Sequence, residues 1–208
     1  MRTDTPQLYL VTPPVFQLET FVPTLARLLD TYDISCLRLS MSTRDEDTIL
    51  RSADAMRELA HARDVPLVIA DHVLMVERLG LDGVHLHEQN SRIRKLRTDL
   101  GPDAIIGAYC GQSRHDGVTV GEAGADYISF GPIGVTALGD GQPAPRELFE
   151  WWSDMIELPV VAEGFLTREL IESFAAVTDF FAIGDEIWTT EDPVAAFAAL
   201  TQPLHQTP

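Results

Sequence analysis

Eight times along this chain a short apolar run rich in β-branched and aromatic residues is followed by a segment with helical periodicity. The runs are 7–12, 34–39, 66–70, 83–87, 104–109, 127–130, 159–162 and 180–183, and the first is stopped by Pro13-Pro14. Most are apolar at successive positions rather than alternating, as expected of strands in a parallel sheet covered on both faces. Between them, Phe21, Leu25, Leu28 and Leu29 recur at helical spacing. Thr43 and Glu46 form a capping box ahead of a stripe of Ile49, Leu50, Ala53, Met56, Leu59 and Ala60. Further helices are predicted behind Val73, over 91–100, near 118–123, over 147–156 and after Thr167. The last starts at Asp192 as N-cap, with Pro193 in the first helical position. Eight strand–helix pairs predict a (β/α)8 TIM barrel, with residues 1–208 as a single domain. An open doubly wound sheet usually has fewer strands and a glycine fingerprint at its first turn, which is missing here.

The 208 residues are 45% hydrophobic and 23% charged, enough to bury a sizeable core. Net charge is -17, spread along the chain, which argues against nucleic acid and an anionic membrane as partners and points to a solvated surface. The two cysteines, Cys36 and Cys110, form no CxxC pair, so a reduced compartment is expected. With neither a signal segment nor an apolar run of spanning length, the expected location is cytoplasmic. Whether the chain forms a homo-oligomer is left open.

In such a barrel the chemistry collects at the carboxyl ends of the strands. Strand two delivers Arg38 and Ser40 there, strand three Asp71 and His72, and strand four His85, His87 and Glu88. Strand five brings Tyr109 and Cys110. Strand six opens into a glycine- and proline-rich loop through Thr136 to about Pro145. Strands seven and eight bring Glu163-Gly164 and Gly184-Asp185-Glu186. Gly164 and Gly184 would let backbone N–H groups approach an anion, and barrels often bind phosphate at these two loops. Equally, both glycines could serve only tight turns. On the first of these readings the ligand is a small phosphorylated molecule.

Leu8-Tyr-Leu-Val-Thr12, Leu37-Arg38, Asp71, Asp82-Gly-Val-His-Leu86, Gly124-Ala-Asp-Tyr127 and Gly131-Pro-Ile133, with Thr136 beyond, resemble the thiamine phosphate synthase family and its TenI relatives. The resemblance implies a barrel that joins a hydroxymethylpyrimidine diphosphate to a thiazole phosphate with Mg²⁺, releasing pyrophosphate. The TenI branch instead aromatises the thiazole phosphate. The resemblance gives Arg38 contact with pyrophosphate, Asp71 a Mg²⁺-ligating role, Thr136 a place in the pyrophosphate loop and Gly164 one in the thiazole-phosphate site. The chain departs from the family at Ser40, Ala70, Asn90, Tyr109 and Gly139, which stand where the family has lysine, asparagine, aspartate, serine and lysine. One arginine and Asp71 are left to meet the charge of a departing pyrophosphate. Glu163, Asp185 and Glu186 add negative charge where the family receives a phosphate, a repulsion to be offset by a metal or by protonation.

His85 and His87 alternate with Val84 and Leu86, so both face one side, the inner one by the family motif. With Asp71 and Glu88 they are additional candidate metal ligands. Two histidines one residue apart are a weak signal, and the plainer reading is a packed, hydrogen-bonded His85 with His87 at the rim. His115, in the fifth loop, is the acid/base candidate, displaced by several positions from the histidine of the TenI branch. Cys110 lacks an identifiable partner and reads as a buried spectator. Besides a synthase or thiazole tautomerase, two classes remain: a barrel enzyme with a histidine-and-carboxylate metal site and another substrate, and a non-catalytic phosphate-ligand-binding protein. Closure of the barrel should gather Arg38, Asp71, Thr136 and Gly164 around one rim pocket.

Overall fold

The computed structural model describes residues 5–87, 92–136 and 141–205. Its eight strands are β1 (Gln7–Val11), β2 (Ile34–Leu39), β3 (Leu67–Ala70), β4 (Gly83–Leu86), β5 (Ile105–Tyr109), β6 (Tyr127–Phe130), β7 (Val160–Glu163) and β8 (Phe180–Ile183). All neighbours pair in parallel and in sequence order, and β8 returns to β1, so the sheet is a closed barrel. Side chains alternate across each strand. Leu8, Leu10, Leu37, Ile69, Ile128 and Phe181 project outward into the core shared with the helices. Tyr9, Val68, Tyr127, Val161 and Ala182 form a second cluster that packs against Cys36, Ile105 and Phe180. The apolar runs read continuously because both faces of every strand are covered.

The helices are α1 (Leu18–Thr31), α2 (Glu46–His61), α3 (Val73–Leu79), α4 (Ile93–Leu100), α5 (Arg114–Glu122), α6 (Arg146–Met155), α7 (Arg168–Phe174), α8 (Asp185–Trp188) and α9 (Pro193–His205). Three differences from the sequence reading have local causes. Asp45 caps α2 by accepting the Thr48 N–H at 2.9 Å, while Thr43 accepts the Asp45 N–H, so the Thr43–Glu46 capping box does not form. Helix α5 begins four residues earlier than 118 because Ser113 caps it through the Asp116 N–H. The one-turn α8 has too few residues to show a periodicity.

At the amino ends of the strands one device recurs three times. Asp82, Asp126 and Asp179, each just before an even-numbered strand or its first glycine, accept the N–H of Leu67, Ile106 and Val160 on the preceding strand. Those bonds are 2.7, 2.7 and 2.8 Å. Asp126 also pairs with Arg97, which donates to the carbonyls of Gly124, Gly101 and Ala104. The Asp-Gly-Val and Gly-Ala-Asp-Tyr motifs thus lock the amino end of the barrel, opposite the end where barrels carry their chemistry.

Candidate active site

Above the apolar floor the barrel interior turns polar. The Tyr9 and Tyr127 hydroxyls meet at 2.7 Å, and the Tyr127 hydroxyl lies 2.9 Å from His85 Nδ1. Gly107 makes room for this column, since a Cβ there would fall 2.0 Å from the Tyr127 ring. Burial, then the charge of Arg38, push the His85 pKa far down, so the ring is neutral. If Tyr127 donates to Nδ1, the ring proton resides on Nε2, which faces Glu163 Oε1 at 3.9 Å, too far for a hydrogen bond.

Arg38 and Glu163 rise from β2 and β7 and meet across the barrel at 2.5 Å, both side chains 4% exposed. Burial alone would raise the Glu163 pKa, but the charge and hydrogen bond of Arg38 outweigh it and hold the carboxyl below its ordinary value. Burial pulls the other way on Arg38, and Glu163 keeps it protonated. The pair is therefore ionic, yet incompletely satisfied: Arg38 Nε and Nη1 and Glu163 Oε1 are buried with no hydrogen-bond partner, as are His85 Nε2 and Ser129 Oγ. Buried polar groups are nearly always paired, so open donors and an open acceptor on one ion pair point to a site built for something else.

Arg38 and Glu163 form the base of a cavity at the carboxyl ends of the strands, with Ser40, His87, Thr136 and Gly164 around it. Gly184, Asp185 and Glu186 close its far side. Gly164 (φ 92°) and Phe165 (φ 55°) are both left-handed, an unusual state for phenylalanine and a form of strain that clusters at functional sites. Beyond this bend the Leu166 N–H donates to Glu186 Oε1 at 2.8 Å, and the Gly184 N–H donates to Glu186 Oε2 at 2.7 Å. Burial first, and the charge of Asp185 among the lesser causes, raise the Glu186 pKa against the pull of these backbone donors.

Of the residues expected at the rim, Arg38, Thr136, Gly164 and Gly184 line this one cavity. Asp71 stands one step outside it, at the end of β3 with φ 59°, which aspartate tolerates. Its carboxylate accepts the His87 N–H at 2.9 Å and contacts His87 Nδ1 at 3.0 Å, so His87 joins it to the cavity. Burial would raise its pKa, but the hydrogen bonds of His87 bring it below the ordinary carboxylate value, leaving it ionised. The His85 and His87 rings lie 5.1 Å apart, edge to face, with His85 in the interior column and His87 at the rim. Among the described residues, no group of three or more His, Cys, Asp or Glu side chains is arranged to hold a metal. As one ionised, half-exposed carboxylate, Asp71 fits Mg²⁺, which commonly takes one or two carboxylates and completes its shell from substrate phosphates and water. His115 is exposed on α5 and does not line the cavity. Tyr109 donates to the Gly131 carbonyl at 2.6 Å, bracing the start of the strand-six loop. Glu88, Asn90 and Gly139 lie outside the described residues. Burial pushes the Cys110 thiol up to about 12, which keeps it protonated and inert.

Comparison with known proteins agrees with this architecture. A family model described as thiamine monophosphate synthase matches residues 8–186. A thiamine-phosphate synthase of Rhodospirillum centenum is 38% identical over 195 residues, covering 92% of this chain and 94% of that protein. One of Erythrobacter litoralis is 34% identical over 211 residues, covering 97% of each. Among solved structures, a thiamine phosphate pyrophosphorylase of Pyrococcus furiosus superposes with a TM-score of 0.82 at 20% identity, covering 96% of this chain and 95% of that one. That likeness bears on the fold.

Proposed function

The chain belongs to the thiamine monophosphate synthase family, and we propose that it joins a hydroxymethylpyrimidine diphosphate to a thiazole phosphate, releasing pyrophosphate. The observation that carries this reading is Arg38: a fixed cation at the base of a cavity that also holds Thr136, Gly164 and Gly184, with two donors unpaired. As the carbon–oxygen bond to the diphosphate breaks, the bonding pair goes to the departing oxygen, and preorganised donors aimed at that charge lower the barrier. Arg38 Nε and Nη1 are such donors, and Glu163 prevents the guanidinium from reorienting by holding Nη2. Thr136 and Ser40 line the cavity, and Ser40 stands where the family resemblance has a lysine. Mg²⁺, when bound, would add positive charge at the diphosphate oxygens, with Asp71 as its protein ligand. His87 fixes that carboxylate in place through two hydrogen bonds. We place the protein in the cytoplasm, a reading supported by its two free cysteines. No described helix is long and apolar enough to cross a membrane.

The test is direct. The purified chain is incubated with both substrates and Mg²⁺, and pyrophosphate release and the coupled product are followed. Product is expected, and Arg38→Ala should lower kcat by about 10²–10³. A folded wild-type chain that forms no product at any Mg²⁺ concentration removes the synthase reading.

A further inference from the structure

The N–H groups of Leu166 and Gly184, in the loops after β7 and β8, converge on the side chain of Glu186, which lines the cavity together with Gly184. In a barrel these loops are a common phosphate site. Here the donors are taken by the chain itself: the two oxygens of Glu186 accept one donor each, at 2.8 and 2.7 Å. A carboxylate bridging two amides across these loops has the charge and bite of two phosphate oxygens. A second observation places a ligand at the same cavity, since Arg38 Nε and Nη1 are buried there without partners.

We propose that Glu186 is an internal stand-in for phosphate, which a phosphorylated substrate must displace from the Leu166 and Gly184 amides before it binds. The inference rests on reading this cavity as a site for phosphorylated substrates. Two anions cannot share the same two donors, and nearby Asp185 and Glu163 add to the repulsion of an incoming dianion. Once displaced, the Glu186 side chain has only to rotate toward the open mouth, because its residue is partly exposed already. Glu186 is thus a specificity-determining residue: it sets how much binding energy a phosphate must bring, and it keeps the two donors satisfied when no phosphate is present.

Inorganic phosphate is a probe that does not depend on turnover. Its affinity for the full chain is measured by calorimetry, with the amide signals of Leu166 and Gly184 followed by NMR. Glu186→Ala should bind phosphate about tenfold more tightly than wild type, the factor expected from freeing one charge-assisted contact. Glu186→Gln, which removes the charge and keeps the shape, should gain about threefold and serves as the test if the alanine variant does not fold. In both, the Leu166 and Gly184 amides should shift on titration. Asp185→Asn removes a neighbouring charge without freeing either amide and should gain less than twofold. Unchanged affinity in both Glu186 variants, a gain without movement of the two amides, or an equal gain in Asp185→Asn would each overturn the proposal. Tighter phosphate binding in a chain that makes no product would uphold the proposal while removing the synthase reading. Product formation with phosphate affinity indifferent to Glu186 would do the reverse.

Discussion

Arg38 and Glu163 are 125 residues apart in sequence and 2.5 Å apart in space, and each side chain is only 4% exposed. Glu163 owes its ionisation chiefly to Arg38. Removing one member leaves a buried charge uncompensated, which is a larger effect than losing the pair together.

Glu163→Ala should therefore destabilise the fold by about 3–5 kcal/mol in urea unfolding. The double change Arg38→Met with Glu163→Leu should cost markedly less, even though it removes the same contact. Equal costs for the single and double variants would show that Arg38 finds another anion or water.

Acid should loosen the protein through the same pair. The Glu163 carboxyl is held below 4.5, so its contribution to stability is complete above about pH 4.5 and is lost as the pH falls further toward its folded-state value. Unfolding free energy measured from pH 6 down to pH 3 should decline more steeply in wild type than in the Arg38→Met/Glu163→Leu variant.

Glu186 has the opposite sign. Its pKa is raised, so ionising it costs more in the folded state than in the unfolded one; its stabilisation is fully present below about pH 4.5 and lost as the pH rises through the folded value. Glu186→Gln removes this ionisation cost but leaves two amide donors facing one acceptor oxygen, so relative to wild type it should gain stability between about pH 4.5 and pH 7. A gain that persists undiminished into acid would assign it to packing instead.

Tyr127 links Tyr9 to His85, and its hydroxyl is buried at the centre of the column. Tyr127→Phe leaves both neighbours without that partner and should cost about 1–3 kcal/mol. Gly107→Ala, which drives a Cβ into the same ring, should cost at least as much, about 1–3 kcal/mol from overpacking. Thermal unfolding of the two variants and their combination would show whether they act on one site.

At the opposite end, Asp126→Ala removes the acceptor for Ile106 N–H and the partner of Arg97 together. A loss of about 1–3 kcal/mol with unchanged KM for both substrates is expected, since the residue is remote from the cavity. A raised KM would mean that the closed end of the barrel is coupled to its mouth.

The closed barrel was legible because eight doubly covered strands leave eight uninterrupted apolar runs, and the helix stripes between them have one clear period. Which strand end delivers which side chain followed from the same count, and Arg38, Thr136, Gly164 and Gly184 do share a cavity. What stayed hidden was pairing across the barrel. Strands β2 and β7 are not neighbours, so nothing local joins Arg38 to Glu163, although one cation and one carboxylate at inward positions of a dry interior was a usable signal. The three acidic residues at the last two mouths were visible as repulsive charge. That Glu186 bridges two amides depends on the left-handed bend at Gly164 and Phe165, which composition does not announce. Asp71 was placed at the right strand end, but its rim contact with His87 sets it one residue back from the cavity wall.

Helix α8 carries Glu186 at its second residue and Trp188 at its last. The Trp188 indole N–H donates to the Val11 carbonyl at 2.6 Å, and its ring stacks edge-on against Phe21. The final turn is in this way stitched to the opening strand, so the segment cannot swing aside as a flap. Vacating the docking point by torsion of the Glu186 side chain alone would leave the scaffold still. Entry to this cavity would then be limited by how well the newcomer competes, not by how fast the protein opens.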